Sequence, residues 1–101
     1  MRATWRLRSG ARPIVLSFPN QSRFYDTTRR AVRFWGHESA MEASFFVNED
    51  ALRGIQSDIG FDEVGVLRAF DLNRDRIYAV AAKVYGRGPK GSYDLLLRDF
   101  E

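Results

Sequence analysis

The chain has 101 residues and no cysteine. That bounds it to one domain and excludes disulfides and thiolate metal sites. Its formal charge of +3 is smaller than the contribution of Arg2, Arg6, Arg8 and Arg12, and no acid precedes Asp26. The rest of the chain is therefore close to neutral, and nucleic-acid binding by the folded part gains no support from charge.

Residues 1–12 are expected to be a disordered basic leader, with a single domain over 13–101. Four arginines and little to bury give that leader no reason to pack. The apolar run Ile14-Val15-Leu16 is far too short for a signal sequence. No stretch approaches the roughly 18 apolar residues of a membrane span. A soluble, cytoplasmic protein without a membrane partner is expected.

Ile14 to Phe18 alternates and predicts a first strand, with Ile14, Leu16 and Phe18 on one face. Pro19-Asn20 ends it, and Asp26-Thr27-Thr28 predicts a second turn. Phe24 and Tyr25, between the two turns, are expected to cap an edge of the core. Ala31 to Val47, AVRFWGHESAMEASFFV, predicts an antiparallel hairpin with a four-residue loop at Gly36–Ser39. His37-Glu38 lacks the Asn-Gly chemistry that a two-residue turn favours. The register that follows sets Trp35 opposite Ala40, Phe34 opposite Met41 and Arg33 opposite Glu42. Val32, Phe34, Met41, Ala43, Phe45 and Val47 then share an apolar face, and Arg33 and Glu42 form an exposed pair on the other.

Asn48 is a good N-cap with Glu49 and Asp50 in the first turn, so a short helix is predicted to about Gln56, with Leu52 and Ile55 inward. Gly60 breaks the chain. Asp62 then caps a long helix whose stripe is Val66, Leu67, Phe70, Ile77, Ala81, Val84 and Tyr85. Gly86 is placed as its stop. Ser92 to Arg98 alternates again and predicts the last strand, with Tyr93, Leu95 and Leu97 on one face. The order is β-β-β-α-α-β. The expected class is α+β: an antiparallel sheet of about four strands with the long C-terminal helix packed on one face. Pattern alone does not say which strand the last one joins.

Motifs that imitate chemistry fail on context. Gly86, Gly88 and Gly91 match G-x-G-x-x-G, but a helix precedes them and a strand follows, the reverse of what a dinucleotide needs. Asp71, Asn73 and Asp75 begin a calcium loop, but Arg76 and Ala82 stand where glycine and a bidentate glutamate are required. Asp71, Arg74, Asp75 and Arg76 are expected to form a solvated, mutually paired helix face. His37, the only histidine, is expected to be an exposed turn residue, and one histidine without cysteine supplies no zinc set. No serine has a nucleophile-elbow context. Glu49-Asp50 and Asp62-Glu63 are explained as caps. No catalytic, cofactor-binding or metal-binding residue emerges.

Two features remain. Arg74 falls inside the apolar stripe: either its stem snorkels to solvent, or the guanidinium is partly buried on a carboxylate, a carbonyl or a bound anion. Asp26, Asp71 and Asp99 are the candidate partners. Trp35 and Phe46 lie on the hairpin face opposite the core, beside Arg33. They are either covered by the N-terminal segment or form a self-association patch. Arg74, Arg33, Trp35 and Phe46 are thus the candidate interaction or anion-site residues.

The run SFPNQSRFYDTTRRAVRFWGHESAMEASFFV, the stretch AFDLNRDRI and the closing SYDLLLRDF resemble a family of small proteobacterial proteins known as domain of unknown function 1488. The resemblance covers about residues 14–100. It implies a compact, cytoplasmic bacterial α+β protein and brings no activity, cofactor or catalytic residue. The function expected is a non-enzymatic binding or interaction module, with an unknown protein or a second copy as partner. The alternative is a nucleic-acid-associated protein using the basic leader and the Arg29–Arg33 face. A small-molecule enzyme built around Arg74 is a third reading.

Overall fold

The computed structural model describes residues 2–6, 13–58, 60, 62–88 and 91–101. The elements in chain order are β1 (Arg2–Arg6), β2 (Pro13–Ser17), β3 (Phe24–Asp26), β4 (Ala31–Glu38), β5 (Met41–Asn48), α1 (Glu49–Ile55), α2 (Glu63–Leu72), α3 (Arg74–Tyr85), β6 (Tyr93–Leu95) and a closing 3-10 turn at Leu97–Phe100. The class is α+β, and among the described residues the sheet has six strands rather than the expected four or so. Its order is β1-β2-β4-β5-β6, with β3 also paired to β4. Residues 2–6, expected to be part of a disordered leader, form a strand antiparallel to β2, from Arg2 opposite Ser17 to Arg6 opposite Pro13. Met1 and residues 7–12 lie outside the described residues.

The last strand joins the hairpin. β6 runs parallel to β5, with Phe45, Phe46 and Val47 opposite Tyr93, Asp94 and Leu95, so the sheet is mixed. The three helices form the crossover that a parallel pair requires. β6 is shorter than the strand expected over 92–98. Leu97 turns instead into the 3-10 segment and sits against the bare Cα of Gly54, where an added Cβ would come within 2.1 Å of its Cδ1.

The hairpin register differs from the expected one. Phe34 opposes Phe45, Arg33 opposes Phe46 and Trp35 opposes Ser44. The displacement is four residues on the second strand. An even displacement keeps every side chain on its face. Val32, Phe34, Ala43, Phe45 and Val47 do share the core face and are buried, whereas Met41, at the tip, is exposed. The cause lies at Gly36, which belongs to the strand and not to the loop. A Cβ there would lie 2.9 Å from Phe18, 3.2 Å from Leu16 and 3.2 Å from Phe45, so glycine is what lets these side chains close over the strand. The turn falls on Ser39-Ala40, with Ser39 in the left-handed region at φ 54. Gly36→Ala is expected to cost about 1–3 kcal/mol by overpacking, measured by urea denaturation. A loss below about 0.5 kcal/mol, the scale of a neutral surface change, would show that the pocket has room.

Asn48 caps α1 through its side-chain oxygen on Ala51 N (2.8 Å), and Asp62 caps α2 on Gly65 N (3.0 Å). The single long helix expected from Asp62 is two helices broken at Asn73. Its side-chain amide donates to Ala69 O and Gln56 Oε1, both at 2.8 Å, in competition with the backbone ladder. The break turns α3 so that Tyr78, outside the expected stripe, becomes fully buried and stacks on Phe18 with centroids 3.9 Å apart. Gly86 stays right-handed at the end of α3, and the positive φ falls two residues later on Gly88. Among the described residues no helix is long and apolar enough to cross a membrane.

All three helices pack on one face. Phe34 and Phe45 stack at 5.3 Å and meet Phe70, Tyr78 and Tyr85 from the helices. The buried cluster joins Leu16, Phe18, Val32, Phe34, Phe45 and Val47 to Leu52, Val66, Phe70, Ile77 and Val84. The alternate residues of the hairpin strands point the other way, where no described helix covers them.

Candidate interaction face

The uncovered face is built by strand alternation. In β4 it carries Ala31, Arg33, Trp35 and His37; in β5, Glu42, Ser44, Phe46 and Asn48. β3 adds Phe24 opposite Arg33, and β6 adds Asp94 opposite Phe46. One row across the face therefore reads Phe24, Arg33, Phe46, Asp94. Further along the strands, Ser17, His37 and Glu42 form another row.

Arginines stack over the rings of this face. The Arg29 guanidinium lies 4.0 Å above the Phe46 ring, and Arg33 lies 5.2 Å from Trp35 and 5.5 Å from Phe46. This explains why Phe46 is only 6 % exposed although no described helix covers it. Arg33 opposes Phe46 rather than Glu42 and donates to Ser44 Oγ at 3.0 Å. It makes no ion pair among the described residues, and its Nε is buried without a hydrogen-bond partner. Stacking, not pairing, holds it. Glu42 faces His37 instead, with Oε2 3.3 Å from Nε2. His37 is thus a strand residue and not the exposed turn residue expected. Arg29 and Asp94 approach to 3.6 Å, beside a groove of about 270 Å³ lined by Arg29, Ala31, Phe46, Asn48, Asp94 and Leu96. Phe24 is 59 % exposed and does not cap the core as expected, whereas Tyr25 packs partly against it.

Arg74 stands apart from Arg33, Trp35 and Phe46. Its side chain is 17 % exposed, and it reaches Asp71 Oδ1 at 2.7 Å, Tyr78 OH at 2.7 Å and Gln21 O at 3.1 Å. The guanidinium also lies 4.9 Å from the Phe70 ring. Asp71 is shared with Arg23, so the calcium-like stretch is a helix-end ion-pair cluster. Among the described residues no group of three or more histidine, aspartate or glutamate side chains is placed to hold a metal.

Three carboxylates are held below their ordinary pKa. Burial pushes Glu49 up, but hydrogen bonds from Tyr25 and Arg53 and the charges of Arg30 and Arg53 overcome it. Burial likewise opposes Arg23 and Arg74 at Asp71, and the Leu96 N–H and Arg87 at Asp99. In each case the partners win. Tyr85 goes the other way: burial first, then its hydrogen bond to Glu38, push it up to about 12. The unfolded carboxylates titrate near 4, so the unfolded chain takes up protons first as pH falls. Stability from these pairs is present above about 4 and lost as pH drops through the folded values. The Tyr85 contribution is present below about 10 and lost as pH rises from there through its folded value. Thermal melts across pH should show both limbs. A melting temperature unchanged on acidification below about 4 would contradict the carboxylate pairing.

Sequence reasoning placed Arg33, Trp35 and Phe46 on one face but missed His37 and Asp94 as members. The signal for His37 was present, since alternation runs unbroken from Val32 to Glu38 if Gly36 is allowed in a strand. Asp94 joins only through the parallel β5–β6 pairing, which leaves no local trace. The buried Glu49 was hidden because a glutamate after an N-cap is fully explained by the cap.

A family model described as Protein of unknown function (DUF1488) matches residues 16–97. The crystal structure of a protein of unknown function from the DUF1488 family of Shewanella loihica PV-4 superposes with a TM-score of 0.70 at 17% sequence identity. The match covers 79% of this chain and 90% of that chain. At that identity the likeness is one of fold. No curated protein matches.

Proposed function

The chain belongs to the DUF1488 family of proteins of unknown function, and from that premise we propose that it is a non-enzymatic, cytoplasmic binding or interaction module. It meets its partner with the uncovered face of the sheet. One observation carries this reading. The helices all pack on one face, while the other carries the half-buried Trp35 and Arg33 beside the exposed Phe24 and Arg29, with no described helix over them. Aromatic and arginine side chains on a sheet are the composition of interaction hot spots. The ionisable groups displaced from their ordinary values support the non-enzymatic reading, because Glu49, Asp71, Asp99, Tyr25 and Tyr85 each direct their bonds to the chain's own side chains and backbone. Arg74 takes a structural role on the same ground. The cysteine-free sequence has no need of an oxidising compartment.

A nucleic-acid-associated protein is the second reading. It is favoured by Arg29 and Arg33 lying over aromatic rings, where bases and phosphates are met by stacking and charge. Glu42 and Asp94 on the same face weigh against it. The test is a photo-crosslinking residue placed at Trp35, compared with one at the exposed Arg76 of α3, in living source cells. A covalent protein adduct is expected at position 35 and not at 76. Adducts from 76 alone, or from neither, overturn the reading.

A further inference from the structure

On the uncovered face Arg33 and Glu42 lie at opposite ends of the hairpin, and at the arginine end Asp94 approaches Arg29. Arg29 and Arg33 flank Phe46 at one end of the hairpin, and Glu42 lies toward the other end, with Trp35 and Ser44 paired in the row between. Within one chain Arg33 and Glu42 do not meet, because Arg33 opposes Phe46 and Glu42 opposes His37. A two-fold axis lying between two such faces, crossing the strands at the Trp35 row, turns each arginine end onto the partner's His37–Glu42 end. It sets the two indoles against each other at the centre. An isologous contact needs self-complementarity, and Arg33 and Glu42 on either side of the Trp35 row supply it. Two sheets packed face to face with strands antiparallel satisfy ordinary aligned packing.

Taking as its basis the reading that this face is the interaction surface, we propose that its partner is a second copy of the chain, held by Trp35 against Trp35 and by Arg33 against Glu42 across the two-fold. The available area is adequate. Only β4 and β5 have eight residues and the other strands have three to five, so at about 3.3 Å by 4.8 Å per residue the face is of order 500 Å². Two copies bury roughly 1,000 Å², the size at which specific interfaces begin. A dimer of modest affinity follows, sensitive to single charges at the contact.

The test is sedimentation equilibrium on the full chain, with Arg33→Glu, Glu42→Arg and an equimolar mixture of the two. The wild-type chain is expected to sediment at about twice its 11.7 kDa mass, and each single variant to dissociate at least about tenfold more readily. In either variant alone, like charges meet across the axis. In the mixture, the carboxylate introduced at position 33 of one chain meets the guanidinium introduced at position 42 of the other. The native Glu42 and Arg33 meet at the symmetry-related contact, and dimers should return. Rescue in trans cannot arise from a contact inside one chain. Circular dichroism melts confirm that both variants fold, and Trp35→Ala gives an independent loss at the centre of the contact. A wild-type chain that sediments as a monomer overturns the self-partner, as does a dimer indifferent to both charge reversals or a mixture that stays monomeric. A monomer that still crosslinks another protein from position 35 leaves the interaction face standing with a different occupant. A monomer that instead binds a short poly-thymidine oligonucleotide, with affinity falling steeply as salt rises, assigns the face to nucleic acid and overturns the proposal. A monomer with no adduct at 35 removes the face as well.

Discussion

Phe45→Ala is expected to destabilise the fold by roughly 3–5 kcal/mol, the cost of truncating a fully enclosed aromatic. The ring is completely buried and touches four others: Phe34 at 5.3 Å, Tyr93 at 5.2 Å, Tyr85 at 6.3 Å and Phe18 at 6.4 Å. These come from four separate places: β4, the parallel strand β6, helix α3 and the residue that follows β2. No single neighbour can move to close the void without breaking its own contacts, so the cavity term adds to the lost burial. Equilibrium denaturation in urea measures the loss. A cost below about 1.5 kcal/mol, the range of a conservative core swap, would mean that Phe45 is not at the junction of the two halves of the sheet.

Glu49→Ala is expected to cost about 2–4 kcal/mol, more than a surface charge could. The carboxylate is 3 % exposed and accepts from the Tyr25 hydroxyl, from Arg53 at 3.0 Å and from Arg30 at 3.2 Å. The backbone is tied at the same place, where Glu49 N donates to Arg30 O at 3.0 Å. This one side chain therefore holds the β3–β4 turn, in which Arg30 has a left-handed φ of 52, against the start of α1. Removing it strands the half-buried Tyr25 hydroxyl and takes away one ion-pair contact each from Arg30 and Arg53. Glu49→Gln keeps the shape and should lose less, while also weakening the acid limb of the stability profile. If Glu49→Ala unfolds at the same urea concentration as wild type, the network is ornamental and the turn is held elsewhere.

Much of this fold is legible in the sequence because it follows from local chemistry. Asn48 and Asp62 are caps whose side chains reach the third residue on, and both helix starts fall where the residue types demand. The two faces of the hairpin survive a wrong register because side-chain direction depends only on parity. What the sequence hid is what depends on contacts distant along the chain. Gly36 looks like a loop glycine until Phe18 and Leu16 are seen crossing over it. Asn73 looks like one more polar residue in a helix until Gln56 is seen beside it. The membership of Asp94 in the open face waits on a parallel pairing made after three intervening helices. For the candidate site the same division holds. Arg33, Trp35 and Phe46 share a face by alternation. That Arg33 lies over two rings rather than beside Glu42 follows from the turn position, which four residues of ambiguous loop sequence did not set.

The sheet has one covered and one open face, and hydroxyl-radical footprinting of the dilute protein reads that division directly. Trp35 and Phe24 should be oxidised readily, while Phe34, Phe45, Phe70 and Tyr78 should stay protected until the chain unfolds. Adjacent residues Phe34 and Trp35 make the sharpest comparison, since only strand alternation separates them. Equal oxidation of the two, or protection of Trp35 in dilute protein, would contradict the open face and the function read from it.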